Sequence, residues 1–452
     1  MRGRITTKVV PVNNDVGRFA RSAHLGAFPQ AGVIPFSLDA QDGMKDDLDG
    51  FARLVRENKD FRRLWISHMI SLFGDWLSYI AVSVIAVQQG GSALAVAMVM
   101  FVHSIPLALM TPISGPLADR LDRKWLLIGA YLGSSLLTLG MWGAANHSSV
   151  WLLQGLLFLR VCISGIGITA RSAAIPSIVG RENLRLANAL LGLTWSVMFT
   201  LGLALGGFAS EILSPSGAIL LDAMTFLLAV SVAVGLPSLK PAVGQGPPPR
   251  PGLGDLLYAW RYVKARPKLL ATVLAKTPPT VANGGAWVTL NLIAGQRLSF
   301  TSLAVAIGIM QCVRAIGSGI GPLLPERIIP RNSLVGTLVA FVGVLLLAAF
   351  DSMLASFVGL SLWGIGMGHN WVISAANLQA ATPDHLLGRV TSLDFFMFSV
   401  GGACAAVLAG FLCDLLGDPA AGTWAATGAG LVIWFYCYRL TRRGGSNTPA
   451  EE

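Results

Sequence analysis

Six ionisable side chains stand inside stretches otherwise made of apolar residues: Asp75, His103, Arg160, Asp222, Lys276 and Arg314. A charge at the centre of a bilayer costs about 2.5–3.5 kcal/mol on the insertion scale, so each needs a partner, a cavity or a ligand. Asp75 reads as the one acidic residue near the middle of an apolar run, since Asp222 and Glu211 lie toward run ends. It suits a protonatable site or a cation partner in a central cavity, or a structural pair that fixes its helix. A carboxyl held between burial and a guanidinium gains or loses its proton when either influence changes. Arg160 is suited to hold an anionic substrate or to pair with Asp75. Arg314 has no acidic neighbour in its half of the chain, which points to a substrate or an interhelical partner. Asp222 reads as a structural cap beside a turn, Lys276 as a side chain that snorkels to the membrane face, and His103 as a cavity residue that is more a satisfied polar group than a proton carrier. Trp195, Trp287 and Trp371 are positioned to line a cavity or simply to pack; Asn291, Gln311 and Asn370 are positioned to orient a ligand.

Holding these residues at membrane depth requires long apolar helices. The chain has 452 residues, 54% hydrophobic and only 12% charged, with mean hydropathy +0.64; soluble domains carry about 25% charged residues. Twelve apolar runs are long enough to span a bilayer or nearly so, at about 64–87, 94–114, 125–145, 150–169, 187–209, 217–236, 269–293, 303–324, 334–350, 353–373, 395–412 and 420–438. Pro278-Pro279 is expected to break the seventh. The five Cys show no metal-ligand or redox spacing, the six His form no paired motif, and there is neither a phosphate-binding glycine loop nor a nucleophile elbow. The expectation is no enzyme site, no metal and no cofactor.

The net charge of +10 would suggest nucleic acid on a soluble protein, but here the basic residues sit in short turns and report topology instead. Even-numbered loops, the centre and both tails carry them, Arg171, Arg181 and Arg185 included, while odd-numbered loops carry only Arg297. Both termini are therefore expected in the cytoplasm. The expected divisions are a tail at 1–60, a six-helix bundle at 61–237, a linker at 238–268, a second bundle at 269–440 and a tail at 441–452. The linker holds a proline-rich stretch at 245–251 and an amphipathic helix at 256–270; another charged amphipathic stretch runs over 45–63. An internal repeat supports two halves. Gly115-Pro116-Leu117 recurs as Gly321-Pro322-Leu323, and Ala174-Ile175-Pro176 with Gly180-Arg181 recurs as Ala381-Thr382-Pro383 with Gly388-Arg389.

Between the second and third runs lies a polar stretch, Gly115-Pro116-Leu117-Ala118-Asp119-Arg120-Leu121-Asp122-Arg123-Lys124, expected to be a tight turn at a membrane face. It resembles the signature loop of the major facilitator superfamily, with Asp122 where that pattern usually has a second Gly. The resemblance implies that Gly115, Asp119, Arg120, Arg123 and Lys124 form a gate motif locking the cytoplasmic ends of the two halves; the repeat offset places Gly388 and Arg389 of that gate at the start of span eleven, where Asp119 is expected to face them. Further stretches narrow it: Leu72-Phe73-Gly74-Asp75-Trp76-Leu77, Ala170-Arg171-Ser172-Ala173-Ala174-Ile175-Pro176, Leu221-Asp222-Ala223-Met224-Thr225-Phe226, and Thr382-Pro383 with Gly388-Arg389-Val390. Over about 60–440 the chain resembles the macrolide-efflux and enterobactin-exporter branch, which implies secondary active export from the bacterial cytoplasm, usually in exchange for protons. Span five keeps the close-packing Gly202, Gly206 and Gly207 of antiporters in that superfamily, with Leu203 in place of their usual Pro.

The expectation is an all-α integral membrane protein of twelve transmembrane helices in two pseudo-symmetric six-helix bundles. It is expected to be a proton-coupled exporter of a small amphipathic, drug-like or siderophore-like compound, working by alternating access. An importer, a lipid flippase and a transport-inactive sensor remain open. The expected partners are the substrate, a proton or other coupling ion and the lipid bilayer, with no nucleic acid; a monomer in the bacterial inner membrane is expected. Met44 reads as an alternative start, with residues 1–43 dispensable for insertion and transport.

Overall fold

A run of helix N-caps marks where the chain turns. Asn58, Ser92, Asp122, Ser302, Asn332 and Ser352 each accept a backbone N–H of the helix they open, supplying one of the partners that a first helical turn lacks. The computed structural model describes residues 40–147, 149–180, 182–240 and 253–443. Most of the N-terminal tail, Arg181, the proline-rich linker stretch and the end of the C-terminal tail lie outside them.

The elements are α1 (Ala40–Glu57), α2 (Lys59–Gln89), α3 (Ala93–Arg120), α4 (Arg123–Asn146), α5 (Val150–Val179), α6 (Leu184–Ala233), α7 (Leu253–Lys264), α8 (Pro267–Val273), α9 (Thr277–Arg297), α10 (Leu303–Ile320), α11 (Ser333–Ala349), α12 (Met353–Ala381), α13 (Asp384–Leu416) and α14 (Ala421–Arg443). Seven of the described helices are long and apolar enough to cross a membrane. α6 is two helices meeting at Ser214, whose φ of 65° and ψ of 161° are non-helical, with Pro215 next to it. Two crossings in α6, together with the shorter or more polar α9, α11, α12 and α14, make the arrangement consistent with the twelve spans expected.

Four local expectations need correction. The stretch 115–124 is mostly helix: α3 runs through Arg120, and the turn is only Leu121 and Asp122. Its repeat partner, Gly321–Leu323, is instead a short 3₁₀ turn that ends α10. Pro278-Pro279 does not break span seven, because both prolines sit in the first turn of α9, where a missing N–H costs no intrahelical bond. The break comes earlier, in a 3₁₀ turn at Leu274–Lys276, and Pro267 opens α8 rather than extending the amphipathic α7. The stretch 45–63 divides at Asn58, which caps α2 and donates to the Ile178 carbonyl at 2.9 Å. Because α1 starts at Ala40, Met44 falls inside its first turns.

In the first half α2 packs along α6, and α5 lies against α3 and α4; in the second, α12 lies against α10 and α11, and α9 against α13 and α14. The halves meet through α3 on α13 and through α6 on α10. They approach closely at the end away from the basic loops. A Cβ added at Gly207 would lie 2.6 Å from the Ala304 carbonyl oxygen and 3.1 Å from the Gly308 Cα, so only glycine permits this crossing. At the same end Asp414 of α13 accepts from the first amides of α3, Ala93 N at 2.6 Å and Leu94 N at 2.9 Å. Arg297, the odd-loop exception among basic residues, is paired there with Asp351 at 2.7 Å.

Candidate functional site

Arg160, projecting from α5, meets two carboxylates. Its Nη1 lies 3.0 Å from Asp75 Oδ1 on α2 and 2.8 Å from Asp222 Oδ2 on α6. Arg160 and Asp222 are fully buried, whereas the Asp75 side chain is 25% exposed. Thr225 Oγ1 donates to the Asp222 backbone carbonyl at 2.7 Å and approaches its Oδ1 at 3.3 Å. Gly74 makes room for this cluster, since a Cβ there would overlap Thr225 Oγ1 and Asp222 Oδ1. Asp222 is thus not the cap of an outer turn but the buried counter-ion of Arg160. With both carboxylates ionised the group carries one net negative charge in a low dielectric, and one proton neutralises it.

An aromatic cluster begins at Trp76, the residue after Asp75. Tyr79 contacts His103 and Trp287 with ring centroids 4.9 and 5.4 Å apart, and Trp76 contacts His103 at 5.4 Å and Phe199 at 4.6 Å. Trp195 stacks on Phe199 at 5.1 Å. The cluster thus joins α2, α3 and α6 to α9 of the other half. His103 Nδ1 is buried without a hydrogen-bond partner, so it is not the satisfied polar group expected. Arg314 of α10 sits against this cluster, its guanidinium carbon 4.7 Å from the Trp287 ring centroid, and its Nε donates to Gln311 Oε1 at 3.0 Å.

The remaining expected residues divide. Asn291 donates to the Trp287 carbonyl at 2.7 Å, leaving its Oδ1 unpartnered. Asn370 is committed to packing: its Nδ2 contacts Ala275 O, Ser333 O and Thr337 Oγ1, each at 3.0 Å. Trp371 lies apart, against Phe398 and beneath the Lys276 ammonium. Lys276 does not snorkel: it is 2% exposed and ion-paired with the equally buried Asp394. Asp394 went unread because the eleventh apolar run begins one residue after it, while α13 starts ten residues earlier. Arg171, counted above as a loop charge, is buried on α5, its Nη1 2.7 Å from His68 Nδ1. A guanidinium only donates, so His68 accepts there as a neutral ring.

Of the gate motif, Asp119 and Arg120 are exposed at the end of α3, and Arg123 Nε reaches back to the Ala118 carbonyl at 3.2 Å. Gly115 lies about one turn earlier on α3, and Lys124 lies over Trp125. Gly388 and Arg389 are in the opening turns of α13, with Arg389 over Tyr258 of α7. Asp122, the departure from the family pattern, caps α4 through Lys124 N at 3.0 Å and also accepts from Leu239 N at 2.9 Å and Ser238 Oγ at 2.6 Å. Burial raises its pKa, but the hydrogen bonds of Ser238, Leu239 and Lys124 and the charge of Lys240 together hold the carboxyl below its ordinary value. Gly202 and Gly206 rest on Trp76 and Leu77 of α2, and Gly207 on α10.

The sequence model of the Major Facilitator Superfamily matches residues 64–405. The chain belongs to that superfamily. Its members are membrane transporters of small molecules, not enzymes. Among curated relatives, the enterobactin exporter EntS of Salmonella paratyphi A is 28% identical over 392 residues, covering 84% of this chain and 91% of the relative. The EntS of Escherichia coli O1:K1 is 26% identical over 394 residues with the same coverage. Among solved structures, the nucleoside transporter NupG aligns with TM-score 0.65 at 13% identity, over 84% of this chain and 98% of NupG. A bacterial homologue of the lysosomal transporter Spinster, solved inward-facing and unoccupied, aligns with TM-score 0.59 at 16% identity, over 85% and 93%. These structures share the fold: an all-α membrane architecture of two pseudo-symmetric helical bundles.

Proposed function

We propose that this superfamily member is a proton-coupled exporter of a small amphipathic compound, with Asp75 as the proton site. The observation that carries the reading is the asymmetry around Arg160: one carboxylate is sealed and the other is partly open. Protonating Asp75 leaves a neutral Arg160–Asp222 pair, and releasing the proton restores a net negative charge beside the aromatic cluster. A partly exposed group with two such states is what exchange of a proton for a substrate requires. The curated relatives' name, enterobactin exporter, supports export and a siderophore-like solute.

In this reading the basic loops face the bacterial cytoplasm, both termini are cytoplasmic, and the protein works as a monomer in the inner membrane. Residues 61–237 and 269–440 act as the two moving bundles, joined by 238–268. The contacts of Asp414 with α3 and of Gly207 with Gly308 then close the outer end, while the exposed Asp119 belongs to a released cytoplasmic gate. Everted membrane vesicles test the assignment. A proton gradient reported by acridine orange should collapse when a transported compound from a panel of catecholate siderophores and macrolides is added. If no panel member dissipates the gradient beyond the rate in vesicles lacking the protein, proton-coupled export of this solute class is wrong.

A further inference from the structure

Four cationic side chains are buried among the described residues of the spans, and they are not served alike. Arg160 has two carboxylates, Lys276 has Asp394, and Arg171 has the lone pair of His68. Arg314, only 5% exposed, has no ion pair among the described residues. Its Nε is used on Gln311, its Nη2 is buried with no hydrogen-bond partner, and its guanidinium carbon stands 4.7, 5.1 and 5.4 Å from the rings of Trp287, Trp363 and Phe199. Ring faces attract a cation, but they do not receive its N–H groups. An uncompensated buried charge is costly enough that a site keeping one is expected to have a use for it.

The surroundings define what would complete it. Gln311 Nε2, Trp363 Nε1 and Trp76 Nε1 are also buried without acceptors. Among the described residues these make, with Arg314 Nη2, four unfilled donors around one aromatic cluster, against one unfilled group there that can solely accept, Asn291 Oδ1. A solute rich in acceptors satisfies this set, and one bearing a negative charge also neutralises Arg314. The rings around Arg314 come from both halves: Phe199 from the first, with Trp76 packed against it, and Trp287 and Trp363 from the second, with Tyr79 against Trp287. We propose that Arg314 is the anion-binding residue of the substrate site, and that the transported class is an aromatic anion. Its ring lies among these side chains, and its charged group takes Arg314 Nη2 and Gln311 Nε2. The proposal rests on the transport reading above and adds the substrate's charge to it.

Binding to purified protein, with no gradient present, separates this inference from proton coupling. The probes are naphthalene-2-carboxylate and its neutral isostere naphthalene-2-carboxamide, measured by equilibrium dialysis. The wild-type protein should bind the carboxylate at least about tenfold more tightly, as one buried hydrogen bond to a charged group implies. Arg314→Gln should abolish that preference, and Arg314→Lys, which keeps the charge without the planar fork, should retain part of it. A wild-type protein that binds the amide as tightly as the carboxylate overturns the proposal whether or not either variant folds. So does a preference that survives intact in Arg314→Gln. A carboxylate preference that depends on Arg314, found together with vesicles that show no proton exchange, upholds this inference while removing the coupling assignment.

Discussion

Arg160 divides its two carboxylates by exposure, and that division sets different penalties for losing them. Asp222 is sealed between α2, α5 and α6, so Asp222→Ala strips a buried guanidinium of its shorter contact and opens a gap beside Thr225. Removing one member of a buried ion pair costs about 3–5 kcal/mol. Asp75→Asn keeps an oxygen to accept from Arg160 and leaves the Asp222 pair whole, so it should cost about 1 kcal/mol or less. Thermal unfolding of the purified variants, followed by tryptophan fluorescence, should place Asp222→Ala far below Asp75→Asn. The reverse order would show that Asp75 is the structural member. Asp75, Arg160 and Arg314 were legible in the sequence because a charge inside an apolar run needs a reason. The pairing of Arg160 with Asp75 was also open to sequence reading; what the sequence hid were the partners Asp222 and Asp394. Asp222 lies 62 residues from Arg160 and Asp394 lies 118 from Lys276, and no periodicity within one helix reports a contact made between helices.

Elements were easier to place than their ends. Twelve apolar runs and the basic, even-numbered loops announced a polytopic helical protein. Yet α3 extends through most of a stretch that composition marks as a turn, because helix continues wherever its amides are served, charged or not. The place where α3 does stop is clamped by Asp122, which ties the opening of α4 to the segment after α6. Asp122→Ala removes an N-cap and two further bonds and should lower stability by about 1 kcal/mol. Because the folded state holds this carboxyl below its ordinary value, its stabilisation is fully present above the unfolded pKa of about 3.9. It is lost as pH falls through the folded value. The difference in unfolding midpoint between wild type and Asp122→Ala should therefore be constant near neutrality and shrink as pH drops below about 4. A difference that grows on acidification would contradict the clamp.

At the scale of the whole molecule, two helical bundles touch firmly at one end, through Gly207 on Gly308 and Asp414 on the first turn of α3. Alternating access requires that this end separate. Gly308→Leu would drive a side chain into Gly207 and the carbonyls of Leu203 and Ala204, wedging the bundles apart. Spin labels at positions 89 and 418, exposed and each four residues from the contact of Asp414 with Ala93, should report a longer mean distance in Gly308→Leu than in the glycine protein; an unchanged distance would mean that the Gly207–Gly308 crossing does not hold the end closed. The central claim concerns what drives the bundles rather than how they touch, and proteoliposomes holding Asp75→Asn test it most directly. With the asparagine fixed in the protonated shape, exchange of a labelled substrate down its own gradient should continue. Uphill accumulation driven by an imposed pH gradient should vanish. Asp75→Asn that still accumulates substrate uphill, with the pH dependence of wild type, would show that Asp75 is only a packing partner of Arg160 and that the proton is carried elsewhere.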